Sequence, residues 1–206
     1  IGSDLVVNAI SAQHGGIVTY TLNLVRHMRR SSLAGKVYVP LAFLERIDQK
    51  EGSGVSLIDV DLSRLGSLRR LFWEQLSWRR IVRDSGADVL YSSANYGLIR
   101  PPIPQILMIQ GEISFNPYYQ EAVLPRLSWL ERMGCTLRRR LVRWSMRHSD
   151  IVLFPSETAM KSVVGDDPAL ARKSRVNYLC AEDRLKNLQN TRIWREDGVL
   201  KTLYIS

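Results

Sequence analysis

Short apolar runs that alternate with helix-like periodic segments constrain the fold of this chain more than any other feature. Runs rich in β-branched residues predict buried strands at 4–10, 37–43, 55–60, 88–91, 106–109, 150–154 and 175–179, of which the run at 37–43 is interrupted by Pro40. Helical spacing predicts helices after Gly16, over 65–84 and over 124–148. Because continuous apolar strands are typical of sheets covered on both faces, the sequence predicts an α/β fold. We expect a doubly wound, mostly parallel Rossmann-like sheet with helices on both faces.

Each predicted helix carries an apolar stripe at helical spacing. The stripes consist of Ile17, Tyr20, Leu24, Val25 and Met28 in the first helix, of Leu65, Leu68, Phe72 and Leu76 in the second, and of Leu127, Leu130, Met133, Leu137, Leu141 and Trp144 in the third. Gly86 and Gly165 are expected to end helices, and Ser156 is expected to cap the start of one.

The composition is that of an ordinary globular protein with one main domain. The chain has 206 residues, of which 45% are hydrophobic and 24% charged. Cys135 and Cys180 lie too far apart for a metal-ligand or redox motif, so we expect no metal site and a reducing compartment. No signal peptide and no spanning segment is visible in the sequence, so any membrane contact is expected to be peripheral.

Ligands of doubly wound folds bind beyond the carboxyl ends of the strands. The loops to consider are therefore 11–16, 92–96, 110–115 and 155–157. Gly15 and Gly16, between the first strand and the first helix, would let a phosphate approach the helix N-terminus. The G-x-G-x-x-G fingerprint is absent, and a tight turn with positive φ is the alternative interpretation.

Five segments, in the order of the chain, carry a resemblance to a known family. They read SAQHGGIVTY at 11–20, GADVLY at 86–91, PQILMI at 104–109, SDIVLFPSE at 149–157 and LKTLYIS at 200–206. Together these segments resemble the retaining glycosyltransferases of family GT4, whose fold is called GT-B.

The resemblance implies an enzyme with two Rossmann-like domains that face each other across a cleft. Residues 4–180 would form the N-terminal, acceptor-side domain, 181–198 a linker, and 199–206 the first strand of a donor domain. The enzyme would move a sugar from a nucleotide-sugar, with retention, to a lipid-linked or polysaccharide acceptor, without a cofactor or metal. We expect it in the cytoplasm or at the inner face of the cell membrane, and we expect these 206 residues alone to turn over poorly.

The resemblance also suggests site residues. Gly16 would lie near the donor phosphates, together with Gly15 and His14, and Ser156 and Glu157 would contribute to substrate binding at the later loop.

Two further candidates follow the central strand. Many family members have a histidine where this chain has Gln110. An amide can bond a sugar hydroxyl but cannot take up a proton. Glu112 is the second catalytic candidate. Solvated polar loop residues are the alternative interpretation for these positions, as for His14.

The basic helix is the most distinctive physical feature of the sequence. Residues 126–148 hold seven arginines against one glutamate, in a chain with a net charge of +9. Arg132, Arg139, Arg143 and Arg147 fall together on one side of this helix, and Trp129 and Trp144 lie near its ends. Such a helix can bind an anionic membrane surface. Alternatively, it packs its leucine stripe on the sheet and leaves its arginines in water.

Two other function classes remain open from the sequence. The excess of arginine permits a nucleic-acid-binding module, but no helix-turn-helix, zinc-finger or RNP-like pattern is present, so we expect no nucleic-acid partner. Another Rossmann-like nucleotide-sugar enzyme, such as an epimerase, is the third possibility.

Overall fold

The computed structural model describes residues 4–178 apart from 14, 32, 48–53, 63, 64, 66 and 112. The expected linker at 181–198, the expected strand at 199–206 and Cys180 lie outside the described residues. The proposed domain boundaries therefore stay predictions.

Seven parallel strands form one sheet in the order β3-β2-β1-β4-β5-β6-β7. The strands are β1 Leu5–Asn8, β2 Gly35–Val39, β3 Val55–Asp59, β4 Val89–Ser92, β5 Gln105–Met108, β6 Ile151–Phe154 and β7 Ser174–Val176. In the register, Val7 lies between Val37 of β2 and Tyr91 of β4. The predicted α/β, doubly wound Rossmann-like sheet is confirmed.

Helices connect all successive strands except β4 and β5, which a loop joins. They are α1 Gly16–Arg30, α2 Leu41–Leu44, α3 Ser67–Trp73, α4 Arg79–Asp84, α5 Trp129–Arg147, α6 Glu157–Val164 and α7 Pro168–Lys173. The described residues also form two π-helical segments, Glu74–Trp78 and Tyr119–Val123, and two 3-10 turns, Ile113–Phe115 and Leu124–Arg126.

The core has a layer on each face of the sheet because successive strand residues point to opposite faces. Val7 packs with Val25 and Met28 of α1 on one side. Its neighbour Val6 packs with Trp78 and Val82 on the other side. A further cluster surrounds β5 and β6 and contains Leu107, Val142, Met146, Val152 and Phe154.

The predicted strand over 37–43 is wrong in its second half. The strand β2 ends at Val39, and Pro40 begins the short helix α2. Proline has no N–H to donate to a neighbouring strand, so the ladder stops there although the apolar run continues. The last predicted strand, 175–179, is also shifted, because β7 covers Ser174–Val176.

The predicted apolar stripe of the second helix is wrong in its second half, whereas Leu65 at its start packs against the core. Phe72 and Leu76 are 66% and 69% exposed, whereas Trp78 and Val82 are buried. The π-helical segment Glu74–Trp78 widens one turn and changes which side chains face the sheet. Trp78 then packs edge-on against Tyr38, with 4.7 Å between the ring centroids. Gly86 has a φ of +73° directly after this helix, as predicted for a helix end.

The basic helix is shorter than predicted, and its apolar stripe faces outward. It begins at Trp129 instead of Leu124, because the Ser128 hydroxyl and the Glu131 carboxylate form a reciprocal capping box. The buried face consists of Val142, Ser145 and Met146. The exposed residues Leu130, Met133, Leu137 and Trp144 belong to the predicted stripe. The interpretation that this stripe packs on the sheet is therefore wrong.

Candidate functional site

The strand order reverses beside β1, and this place defines the candidate site. From β1 the chain runs outward through β2 and β3, and β4 then pairs with the other side of β1. All strands are parallel, so the carboxyl ends of β1, β4, β5 and β6 lie at one edge of the sheet. Sheets of this kind bind ligands in the crevice at such a switch point.

The N-terminus of α1 opens at this edge because the helix follows β1. Gly15 takes a φ of +66° before the helix, a conformation that favours glycine, as the alternative interpretation of a tight turn with positive φ requires. Within the described residues no side chain caps α1, and its first turn contains no acidic residue. A Cβ atom placed at Gly15 or Gly16 would meet no atom within 4 Å. The positive end of α1 therefore has no side-chain cap among the described residues and adjoins open space, as anion binding requires. His14 lies outside the described residues.

Gln110 joins the loops that follow β4 and β5. Its backbone N–H donates to Asn95 Oδ1 at 3.0 Å, and its Nε2 donates to the Ser93 carbonyl at 2.8 Å. Asn95 in turn donates its N–H to the Met108 carbonyl at 3.0 Å and has a φ of +44°. The half-buried Gln110 is thus a structural link at the switch point, a role that its sequence position does not reveal.

Ser93 extends this link to β1. Its N–H and its hydroxyl both donate to the Asn8 carbonyl, at 3.0 and 2.8 Å. Hydrogen bonds between loops therefore connect the carboxyl ends of β1, β4 and β5. These bonds hold the edge of the sheet in one arrangement, which a site for an oriented ligand needs.

A cavity of about 380 Å³ lies next to this link, at the ends of β5 and β6. It is lined by Ile109, Gly111, Ile113, Asn116, Ser156, Thr158, Ala159, Ser162 and Val163. The cavity lies beside the loop that holds Gln110, since Ile109 and Gly111 flank this residue in the chain. Hydroxyl and amide groups line it beside apolar ones, a mixture that suits polyhydroxyl ligands.

Ser156 and Glu157 have different surroundings. The Ser156 hydroxyl accepts from the Ala159 N–H at 3.2 Å, so the predicted helix cap is confirmed, and Ser156 also lines the cavity. Glu157 is exposed and lies in the first turn of α6. Glu112 lies outside the described residues.

Sequence reasoning missed three polar groups of the cavity, Asn116, Thr158 and Ser162. Thr158 and Ser162 are four residues apart on α6, so they share one helix face. This spacing, directly after the predicted cap, was the signal that could have identified them. Asn116 carried no comparable signal.

Arg70 is a second residue that sequence reasoning missed. It belongs to α3, which follows β3 and so begins at the carboxyl edge of the sheet. Its guanidinium donates to the Ser11 hydroxyl at 3.1 Å and to the Glu74 carboxylate at 3.0 Å. A cation therefore contacts the loop that leads to Gly15 and Gly16.

The four arginines expected to bind anions have separate neighbours. Arg139 and Arg143 lie over the ring of the buried Phe115, 5.3 and 5.5 Å from its centroid. Arg147 pairs with Asp167 at 3.3 Å, and Arg132 donates to the Leu127 carbonyl at 2.9 Å. The contacts with Phe115 attach the loop after β5 to α5.

Tyr20 of α1 and Tyr91 of β4 contact each other through their hydroxyls beneath the first loop. Burial raises the pKa of both phenols above the usual range. Both groups are therefore protonated at neutral pH and hold α1 on the sheet without acting as bases.

The described residues contain no cluster of three or more His, Cys, Asp or Glu side chains that could hold a metal ion. No helix among them is long and apolar enough to cross a membrane.

Solved structures of glycosyltransferases with a GT-B-type fold resemble this chain. UGT73P12 of Glycyrrhiza uralensis, in complex with glycyrrhetinic acid 3-O-monoglucuronide, is 12% identical with a TM-score of 0.50, over 85% of this chain and 48% of that one. A glycosyltransferase of Rickettsia africae is 9% identical with a TM-score of 0.48, over 86% and 43%. This chain thus spans about half the length of either protein. No protein-family model and no curated protein matches the sequence. The likeness to UGT73P12 concerns the fold.

Proposed function

We propose that this chain is the acceptor-side half of a GT-B glycosyltransferase. The enzyme would move a sugar from a nucleotide-sugar to a lipid-linked or polysaccharide acceptor, with retention, as in family GT4. The observation that carries the proposal is the carboxyl edge of the sheet, which holds both a helix N-terminus without a side-chain cap and a cavity lined by hydroxyl, amide and apolar side chains. The likeness in fold to UGT73P12, over 48% of that chain, supports a second domain across the cleft.

In the proposed reaction the bond between the sugar C1 and the phosphate oxygen breaks. A bond from an acceptor hydroxyl oxygen to C1 forms on the same face, and the hydroxyl proton passes to the departing phosphate. This route needs no enzymic base, so Gln110 is compatible with it. The protein would act by positioning both substrates and by stabilising the charge on the phosphate.

The described residues suggest a division of roles. The N-terminus of α1 at Gly16 would face the phosphates, and Arg70, which pairs with Glu74, would hold that loop in place through its bond to the Ser11 hydroxyl. Asn116, Thr158 and Ser162 would bond hydroxyls of the acceptor or the sugar in the cavity. Ser93 and Gln110 would keep the residues that face the phosphates at a fixed position relative to those that line the cavity.

A dinucleotide-dependent enzyme, such as an epimerase, is a weaker alternative. Such enzymes hold the ribose with an acidic residue near the end of the second strand. Here β2 ends at Val39, and Pro40, Leu41 and Ala42 follow. The sequence therefore lacks both the glycine fingerprint and the acidic residue that this alternative requires.

A charge reversal at the helix N-terminus tests the proposal. In the full-length enzyme, nucleoside diphosphate release would be measured with UDP-, GDP- and dTDP-sugars and a panel of lipid and glycan acceptors. We expect one donor to be used and Gly16→Asp to lower kcat/KM by about tenfold or more, since the carboxylate repels the phosphates.

The matched control is Gly16→Ala, which has the same backbone position and no charge. Open space surrounds the site, so both variants should fold, and Asp should stabilise the start of the helix. If the Asp and Ala variants turned over equally, the donor phosphates would not bind at this position. Lack of turnover with every donor would reject sugar transfer itself.

A further inference from the structure

Helix α5 presents three distinct faces. Side chains advance by about 100° per residue around an α-helix, so residue numbers give their directions. Val142, Ser145 and Met146 point to the core. Arg139 and Arg143 lie beside them and contact Phe115 in the loop after β5. The remaining face points away from the sheet.

That outward face is apolar. Leu130, Met133, Leu137 and Trp144 fall within about 60° of one another on it and are 57%, 57%, 52% and 50% exposed. Trp129, at the start of the helix, is 69% exposed. We call these five residues the outward stripe. It extends over about 22 Å of helix. Contiguous exposed apolar surface of this kind marks an interaction site.

Positive charge borders the outward stripe. The helix contains six arginines and a single acidic residue, Glu131. By helical angle, Arg140 and Arg147 lie within about 40° of Met133, on the side of the stripe where Trp129 lies, whereas Arg138 lies about 80° from Leu130, toward the core side. All three arginines are exposed. The Glu131 carboxylate accepts hydrogen bonds from the Ser128 N–H and hydroxyl and lies toward the core side.

We propose that α5 docks on an anionic lipid surface with the outward stripe inserted among the lipids. Lipids offer acyl chains for the leucine and methionine side chains and phosphate headgroups for the bordering arginines. Trp129 and Trp144, at the two ends, would lie at the boundary between headgroups and chains. Nucleic acid offers phosphates but no apolar layer, so it matches the arginines and not the stripe.

The contacts of α5 also orient the candidate site relative to the lipid surface. Phe115 lies next to Asn116, which lines the cavity, and it contacts the arginine face of α5. Docking would therefore fix the orientation of the cavity relative to the membrane surface. The inference does not depend on sugar transfer, and its test uses no nucleotide.

Vesicle sedimentation of the 206-residue chain tests the proposal. Vesicles of phosphatidylcholine alone would be compared with vesicles that also contain phosphatidylglycerol. We expect binding to the anionic vesicles, weaker binding in high salt, and a loss of affinity of about tenfold or more for Leu130→Gln with Leu137→Gln. Arg138→Gln with Arg140→Gln should weaken binding to the anionic vesicles.

The chain supplies a matched control for each pair. Phe72→Gln with Leu76→Gln changes two exposed apolar residues outside α5, and Arg79→Gln with Arg80→Gln changes two exposed arginines. Both control pairs should retain the parent affinity. Thermal unfolding of every variant would verify that it is folded.

Tryptophan fluorescence measures the insertion of the outward stripe into the lipids. Brominated acyl chains should quench the emission of the parent, and Trp129→Phe with Trp144→Phe should remove most of that quenching. Three results would overturn the proposal. The first is a parent chain that does not sediment with anionic vesicles. The second is a double variant, Leu130→Gln with Leu137→Gln, that binds them with the affinity of the parent. The third result is a chain that does not bind vesicles but forms a dimer through these two leucines.

Discussion

Helices α1 and α5 have similar sequence patterns and opposite placements. Both are amphipathic, both carry arginine in their last turn, and each has an apolar stripe at helical spacing. In α1 the stripe packs into the core, where Val25 and Met28 are buried. In α5 the corresponding stripe faces outward, and less prominent residues such as Val142 contact the sheet. Periodicity thus identifies an amphipathic helix without showing which face the domain covers.

The two helices also begin differently. Ser128 and Glu131 satisfy the first N–H groups of α5 through a capping box. Gly15 leaves those of α1 without a side-chain cap. A helix whose first N–H groups are bonded by its own capping side chains needs no other partner there. The N-terminus of an uncapped helix can instead bind an anion. The uncapped helix α1 thus carries the proposed phosphate position, and the capped helix α5 carries the proposed membrane surface.

The largest expected effect comes from a matched pair of methionines. Met28 of α1 is 1% exposed, and Met133 of α5 is 57% exposed. We expect Met28→Ala to lower the free energy of unfolding by about 2 to 5 kcal/mol, because it leaves a cavity. Met133→Ala should change it by less than about 0.5 kcal/mol. Urea unfolding of both variants measures the difference. A large loss in Met133→Ala would mean that the stripe is covered in the folded chain.

Removal of the α5 cap should have an intermediate effect. Ser128→Ala takes away the hydroxyl that accepts from the Glu131 N–H, so the free energy of unfolding should fall by about 1 kcal/mol. Ser128→Asp is the control, since aspartate also caps a helix and should restore most of the loss. A Ser128→Ala variant as stable as the parent would show that α5 does not depend on its capping box.

The smallest expected effect is a pH dependence of that cap. Bonds from the Ser128 hydroxyl and N–H hold the pKa of the Glu131 carboxyl below its usual range. A lowered folded-state pKa stabilises the fold above the usual glutamate pKa of about 4.3. That contribution is lost as the pH falls through the folded value. The stability difference between parent and Ser128→Ala should therefore shrink below about pH 4, as measured by urea unfolding at several pH values. If the stability difference did not change with pH, the Glu131 carboxylate would have no part in the cap.

Much of the fold could be predicted from the sequence. The strand positions followed from apolar runs, because a parallel sheet buries both faces of its strands. The errors arose where local patterns conflict with neighbouring structure. Pro40 stops β2 inside an apolar run, and the π-helical turn before Trp78 rotates the second helix away from its predicted stripe.

The candidate site was only partly predictable. Gly15 and Gly16 were identified because a glycine loop before a helix has few structural uses. Asn116 and Arg70 were missed, since their positions depend on segments that are distant in sequence. Gln110 was identified, but its bond to the Ser93 carbonyl could not be inferred from the spacing of the two residues.

The sequence by itself determined the α/β class, the parallel sheet and the two amphipathic helices, because these features depend on the order of polar and apolar residues along the chain. Tertiary structure alone decided which face of α5 meets the sheet, and which loops enclose the cavity. Both depend on the competition of several apolar surfaces for the same limited area of the sheet. The local sequence describes each apolar surface. Only the packed molecule shows that Val142 and Met146 are buried against the sheet while Leu130 and Leu137 remain exposed.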